Sequence, residues 1–431
     1  MKNKKEYFFG LFTGLLIAAF LVTCVVCGKV LYDAAHSEEK NRSDAAKDVI
    51  AEVEDAEASG DGVVISEDSG YVLADEEVIN KILLLEDTID LYFINSVTDE
   101  EIEEGIYDGI MSSLNDPYAA YYSPEELLEL QSSTEGVYYG IGAYLMLNQT
   151  TMYPQITGII DNTSADDSEL RIDDYIYMVD GVDVYGMELS DVVSMIKGEE
   201  GTYVDLTIVR PSTGEEIEMS VERRRVETPT VTYEMLENNI GYIAISEFDA
   251  VTVDQFSEAL ATVNGSDMEG LILDLRGNPG GSLSAVVDIA DMILPEGLVV
   301  YTEDKYGDRT EYTSDEKSGL SVPMIVLVNG GSASASEILA GAIKDYGVGT
   351  LLGTTTYGKG IVQRIITLED GSALKLTVSH YYTPLGNDIH EIGIEPDVVL
   401  EFDTDAYLED EENDNQLEEA IRILTEEINA N

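Results

Sequence analysis

Cysteine is nearly absent from the 431-residue chain: Cys24 and Cys27, the only two, both lie in an apolar N-terminal stretch. The rest of the chain has no disulfide framework and no cysteine-based metal site. Histidine is scarce too. Only His36, His380 and His390 exist, which narrows any histidine-based mechanism. Basic residues number 23 against 86 acidic ones, a formal net charge of −63. A body this acidic repels nucleic acid and anionic membrane surfaces, so nucleic acid is not an expected partner. Apolar residues, by contrast, make up 44% of the chain and supply ample material for buried cores.

Phe8 to Gly28 carries no charged residue. A helix of roughly 20 such residues spans a bilayer core. Lys2, Lys4 and Lys5 precede it, which orients the N-terminus to the cytoplasm and everything after Lys29 outside the cell. A cleaved signal peptide is the competing reading, with Tyr32-Asp33-Ala34-Ala35-His36 as its cleavage candidate. The longer apolar run favours a retained anchor. From Ala34 to about Ala74 the composition turns to Ala, Asp, Glu, Ser and Gly without apolar periodicity, which reads as a linker.

From Glu76 to Gln131 apolar residues recur at helical spacing: Val78, Ile82, Leu85 and Ile89, then Ile102, Ile106, Ile110 and Leu114. Asp116-Pro117 should end that helical run, and Ser123-Pro124 should open another helix. Gly136 to Val226 changes to short strands: Tyr138–Leu147, Gln155–Ile160, Tyr175–Val179 and Val204–Arg210, with a helix over Leu189–Ile196. Beyond Ile240 strands and helices alternate, which predicts an α/β layered domain. Its predicted strands are Ile240–Ile245, Gly270–Leu275 and Met324–Val328. Its predicted helices run over Ser282–Leu294 and from about Ser334 to Tyr346. An amphipathic acidic helix over Asn415–Ile428 closes the chain.

Two features of the middle segment resemble a PDZ domain. Tyr139-Gly140-Ile141-Gly142 stands where a strand begins, and glycine-bearing loops of this kind form nests for a carboxylate. Leu170 to Gly181 resembles the turn-strand-turn that follows the ligand groove, although Ile172-Asp173 stands where many relatives carry Pro-Gly. The resemblance implies that an extended peptide adds as a strand, its C-terminal carboxylate on the loop formed by Tyr139, Gly140, Ile141 and Gly142.

Further on, an apolar strand ends at Gly330-Gly331, and Ser332-Ala333-Ser334-Ala335-Ser336-Glu337 leads into a helix. A serine at such a turn can be an exposed nucleophile, with helix amides facing a developing oxyanion. Ser334 with Glu337 three residues on equally fits a capping box. The residues alone do not choose among Ser332, Ser334 and Ser336. A serine hydroxyl needs a base. His380 and His390 stand in no recognisable triad order. Lys359 has no acidic residue within ten positions before it or nine after, unusual in so acidic a chain. An unpaired lysine can lose its proton when desolvated, at a cost of roughly 4 kcal/mol for three pKa units.

Three motifs in order resemble the carboxy-terminal processing proteases, the S41 family. They are Asp274-Leu275-Arg276-Gly277-Asn278-Pro279-Gly280-Gly281, Val328 to Glu337, and Gly358-Lys359-Gly360-Ile361-Val362-Gln363. The resemblance implies Ser334 as nucleophile, Lys359 as base and Gln363 as the residue orienting the base. Lys359 and Gln363 would share a face if that stretch were helical. The oxyanion would be held by the amide of Ala335 and that of Gly280 or Gly281. No metal or cofactor is implied. Substrates would be proteins or peptides with free C-termini.

The expected fold class is α/β: a crotonase-like protease core with an inserted PDZ-like β-rich domain, an N-terminal helical segment and a single transmembrane helix. The expected division is 1–33 for basic residues and anchor, 34–75 for an acidic linker and 76–133 for the helical region. It continues with 134–226 for PDZ, 227–404 for the protease core and 405–431 for the C-terminal helix. Two rivals stand beside this reading: a catalytically silent PDZ scaffold, and an acyl-CoA enzyme suggested by fold analogy alone. Whether the PDZ domain gates or recruits, and whether the C-terminal helix pairs with a second copy, stay open.

Overall fold

The computed structural model describes residues 76–315, 320–410 and 413–430. The expected anchor, Cys24, Cys27, His36 and the linker lie outside the described residues. Among the described residues no helix is long and apolar enough to cross a membrane. The chain forms two compact units.

The smaller unit comprises the described residues up to Ser113 together with Ile366–Leu374. It holds helices Glu76–Tyr92 and Asp99–Ser112. The second is opened by a capping box: Thr98 Oγ1 accepts the Glu101 amide at 3.2 Å, and Glu101 Oε2 accepts the Thr98 amide at 2.7 Å.

The larger unit takes in Leu114–Ile365 and Lys375 onward. Helix Pro124–Glu135, capped by Ser123 and Glu126, leads into its β-rich part. The expected strand Tyr138–Leu147 is two strands. Val137–Gly140 pairs antiparallel with Arg224–Glu227, and after a turn at Ile141-Gly142 the chain resumes as Ala143–Leu147. That strand heads an antiparallel sheet continued by Pro154–Ile159, Tyr175–Val179, Tyr203–Arg210 and Glu215–Glu222. Along Tyr203–Arg210 alternate residues Val204, Leu206 and Ile208 are buried, the period-two signature of a sheet with one covered face. Helix Leu189–Ile196 adds Val192 and Ile196 to this core. Arg223 closes the helix end, with Nε donating to Ile196 O at 2.8 Å and Nη2 to Met195 O at 3.0 Å. Its Nη1 donates to Tyr203 O at 2.7 Å, which ties the helix to the sheet. At the Ile172-Asp173 departure, Asp173 has φ of 77°, the left-handed conformation that a glycine would otherwise supply.

The α/β part is built on a six-stranded sheet. Its order is Val231–Met235, Ile240–Ile245, Gly270–Asp274, Met324–Val328, Thr350–Gly353, Val398–Val399. All its neighbours are parallel except the first pair. Gly270–Asp274 and Met324–Val328 are buried at every position. Side-chain alternation explains this, because a parallel sheet has both faces covered. Leu271, Leu273, Val326 and Val328 join the core shared with helices Ala250–Asn264, Leu283–Ile293 and Ala335–Tyr346. Ile272, Ile325 and Leu327 face Ala420 and Leu424 of helix Asn415–Ala430. The C-terminal helix therefore packs on its own core. Arg276 anchors its start: the guanidinium binds Asp274 (2.6 Å) and Asp414 (2.8 Å) and donates to Gln416 Oε1 at 3.1 Å. A second sheet joins Ala120–Tyr122, Ala373–Tyr382, Gly297–Asp304 and Arg309–Ser314, with Ile361–Thr367 beside Ala373–Tyr382.

Candidate active site

The parallel strand Met324–Val328 delivers the chain to the serine-rich turn. Ser332 and Ser336 are fully buried, and their hydroxyls donate to Leu275 O (2.8 Å) and Asn278 O (3.0 Å). Ser334 differs from both. It is half-buried, and its backbone sits at φ 53°, ψ −113° at the N-cap of helix Ala335–Tyr346. A non-glycine residue there carries strain of about 1–3 kcal/mol, which the surrounding bonds must hold. A sharp strand-to-helix turn of this kind can expose a serine hydroxyl at the end of a sheet.

Those bonds converge on Glu337. This carboxylate is fully buried. Its Oε2 accepts the Ser334 amide at 2.9 Å and the Lys359 amide at 2.8 Å. Its Oε1 accepts the Gly358 amide at 2.7 Å and the Thr356 hydroxyl at 2.6 Å. One side chain thus joins the serine turn and the lysine loop. Tyr381 adds a donor, its hydroxyl 3.0 Å from Ser334 O. Burial first, and then Glu337, push the Tyr381 pKa well above the ordinary phenol value, so the group stays a donor.

The glycines around Lys359 have a steric reason. A Cβ on Gly360 would lie 2.6 Å from the His390 amide nitrogen, and one on Gly358 3.0 Å from that of Gly393. The loop lies flat against segment 390–393, and only glycine permits this. Lys359 itself is half-buried. Burial pushes its pKa below the ordinary lysine value and Lys375 adds to the fall, while Asp116 and Glu337 act against it. Its Nζ lies 4.5 Å from the centroid of the Tyr118 ring. Among the described residues no hydrogen bond joins the Ser334 hydroxyl to this amine. His380 and His390 lie against each other, ring centroids 5.2 Å apart.

Opposite the serine turn runs the loop after Asp274. Asn278 is buried, and its carbonyl accepts the Ala333 amide at 3.0 Å. Gly280 has φ of 106°, and a Cβ there would lie 2.7 Å from Ser334 Cβ. The Gly280 amide is taken by Asn278 Oδ1 at 2.9 Å. Among the described residues the amides of Ala335 and Gly281 donate to no protein acceptor.

The chain has counterparts among known proteins. The description "Peptidase family S41" matches residues 239–400, and a PDZ domain description matches residues 155–210. The carboxyl-terminal-processing protease of a Synechocystis species is 34% identical over 321 residues, 73% of this chain and 75% of that protein. The chain belongs to the carboxyl-terminal processing proteases of family S41. CtpB, a carboxy-terminal processing protease of Bacillus subtilis, is 32% identical over 329 residues, 75% of this chain and 68% of that one. A solved photosystem II D1 C-terminal processing protease shares 30% identity, covering 74% of this chain and 86% of its own, with a TM-score of 0.44. The present chain is thus a serine-type peptidase with a PDZ domain.

In this carboxyl-terminal processing protease, Ser334, Ala335, Gly280 and the Lys359 loop come together around Glu337 and Asn278. Gln363 does not share a helical face with Lys359. Ile361–Thr367 is a strand, and Gln363 Nε2 donates to Thr377 Oγ1 at 3.4 Å. The β-branched Ile361, Val362, Ile365 and Ile366 favour that conformation. In the PDZ domain Tyr139 is exposed on its strand, while Ile141 is buried in the turn. The amides of Ile141 and Gly142 have no protein acceptor among the described residues. Lys197, unremarked in the sequence, ends helix Leu189–Ile196 with its Cγ 3.8 Å from where a Gly140 Cβ would stand. A cavity of about 870 Å³ opens beside it, lined in part by Tyr138, Val193 and Leu128. Of the residues missed, only Glu337 had a signal, and that signal read as a cap. Asn278 lies inside the Asp274–Gly281 motif but nothing there gives it a role, and no local feature gives one to Thr356, Tyr381 or Tyr118.

Proposed function

We propose that this protease is a membrane-anchored, extracytoplasmic endopeptidase using a Ser334–Lys359 dyad. The observation that carries the reading is Glu337 Oε2, which accepts from the backbones of both residues and so sets nucleophile and base on one support. The neutral Lys359 amine takes the hydroxyl proton of Ser334 as Oγ attacks the scissile carbonyl. The oxyanion is received by the amides of Ala335 and Gly281, since that of Gly280 is engaged by Asn278. The resulting ammonium passes its proton to the leaving amine, and the acyl-enzyme forms. Water then attacks the ester, giving a proton to Lys359, which returns it to Ser334. Gln363 serves the base from the strand that follows it.

The PDZ domain reads substrate C-termini. The amides of Ile141 and Gly142 receive the carboxylate and Lys197 supplies a nearby positive charge. The uncharged run Phe8–Gly28, preceded by Lys2, Lys4 and Lys5, supports the anchor and its orientation.

The test is cleavage of casein by the full chain in detergent micelles, with Ser334→Ala and Lys359→Ala beside it. Loss of cleavage in both variants, with wild-type activity rising with pH as Lys359 loses its proton, is the expected result. Cleavage that survives Ser334→Ala would overturn the nucleophile assignment. No wild-type cleavage, even with a hydrophobic C-terminal peptide added, would favour the scaffold reading.

A further inference from the structure

The Lys359 amine does not rest on the Ser334 hydroxyl. It rests on an aromatic face, its Nζ 4.5 Å from the centroid of Tyr118. That ring is itself fixed. The Tyr118 amide donates to Asp116 Oδ1 at 2.9 Å, which closes an Asx turn, and the phenol lies against the Tyr357 hydroxyl. Strand Ala120–Tyr122 follows directly and is paired in the second sheet. An ammonium within about 6 Å of a ring centroid is attracted by the ring quadrupole, more strongly when partly desolvated. A neutral amine feels no comparable attraction.

We propose that the Tyr118 ring is a docking platform for protonated Lys359, a positioning residue that keeps the base off Ser334 until the amine loses its proton. The proposal rests on the reading of Lys359 as the base. Lys359 then has two stations. As an ammonium it lies on Tyr118. As a neutral amine it is released and reaches the Ser334 hydroxyl. The other charged groups facing it are Lys375 from strand Ala373–Tyr382, Asp116 from the loop that carries Tyr118, and Glu337 from the nucleophile helix. Lys375 repels the ammonium, and the two carboxylates hold it. The platform therefore works with the carboxylates and against Lys375.

The signs follow. Removing the ring removes a stabiliser of the ammonium, so Lys359 titrates lower and the acid limb of activity moves to lower pH. Removing Lys375 removes a destabiliser, so the limb moves to higher pH. Two readouts on the full chain in detergent keep the outcomes apart. Trace labelling with acetic anhydride, read by mass spectrometry at Lys359 in a Ser334→Ala background, gives the titration of the amine without activity. The pH profile of casein cleavage gives its consequence.

Tyr118→Leu is expected to lower the labelling midpoint by about one pH unit and to shift the acid limb the same way. Tyr118→Phe, which keeps the ring, leaves both within roughly 0.3 units. Lys375→Met shifts both upward. Tyr118→Met serves as a second ringless variant should the leucine one fail to fold. A ring of merely structural use would lower activity at every pH and leave the midpoint still. That result, or a phenylalanine variant as shifted as the leucine one, overturns the proposal. Full activity in Lys359→Ala would instead remove the base assignment, and the labelling midpoints would still report on the platform.

Discussion

Replacing Glu337 by glutamine tests the support under the site with the least change of shape. The carboxylate accepts four hydrogen bonds, two at each oxygen. Glutamine keeps one oxygen. Its least costly orientation leaves that oxygen on the Ser334 and Lys359 amides and turns the NH2 toward Thr356 and Gly358. The Thr356 hydroxyl can reverse and accept, but the Gly358 amide cannot. An orphaned buried amide costs about 1–3 kcal/mol, and loss of charge weakens each surviving bond by roughly 1 kcal/mol. Together these give a destabilisation of about 3–5 kcal/mol, a fall in Tm of roughly 10 °C. The catalytic effect comes from loosening the serine turn and the lysine loop relative to each other. A misplacement of about 1 Å costs on the order of 100-fold in rate. We expect kcat for casein to fall by about that factor at a temperature where the variant is folded, with KM little changed. The acid limb should also move to lower pH, because the carboxylate no longer holds the Lys359 ammonium. Melting within about 2 °C of wild type together with a kcat within about twofold would refute the reasoning.

Asp249 gives a pH signature of its own. Burial, and then the neighbouring Glu247, push its pKa up to about 7. Between about pH 4 and pH 7 the folded chain keeps a proton that the unfolded chain has released, so stability falls as pH rises through that window. Asp249→Asn should remove a pH-dependent loss of stability on the order of 4 kcal/mol, seen as a gain in Tm over wild type at about pH 8 that vanishes near pH 4. An equal Tm difference at both pH values would contradict this. Arg223→Ala should uncap helix Leu189–Ile196 and cost about 2–4 kcal/mol of PDZ stability. Calorimetric titration with an apolar peptide bearing a free C-terminus should then show weaker binding than wild type. Unchanged affinity would mean that the helix end does not shape the groove.

The parts of the fold most legible in the sequence are those whose pattern follows from burial alone. Met324–Val328 is apolar at every position, as a central parallel strand must be, and glycines mark its end. Glu215–Glu222 was hidden by its four glutamates, three of them exposed, although Ile217, Met219 and Val221 alternate between them. Helix Ala250–Asn264 carries Val251, Thr252, Val253 and Val263, residues of strand propensity, and owes its identity to the packing of Phe256, Ala259 and Val263. At the site, Ser334 and Lys359 became candidates through the motifs around them, since the serine-rich turn alone does not choose among Ser332, Ser334 and Ser336. Glu337 could not be separated from an ordinary cap, because the same spacing serves both uses. Tyr118 lies 241 positions before Lys359, and nothing in its neighbours announces a contact with that lysine. Its place depends wholly on tertiary packing.

Arg276 has a further consequence. Its guanidinium grips Asp414 and Gln416 at the start of the final helix, yet Arg276 itself lies four residues before Gly280, in the loop that faces Ser334. One side chain thus ties the start of the last helix to the loop that carries Gly280. Displacing the helix start would reach that loop through Arg276 and the sheet through Ala420 and Leu424, so a change far from Ser334 is expected to lower turnover as well as stability.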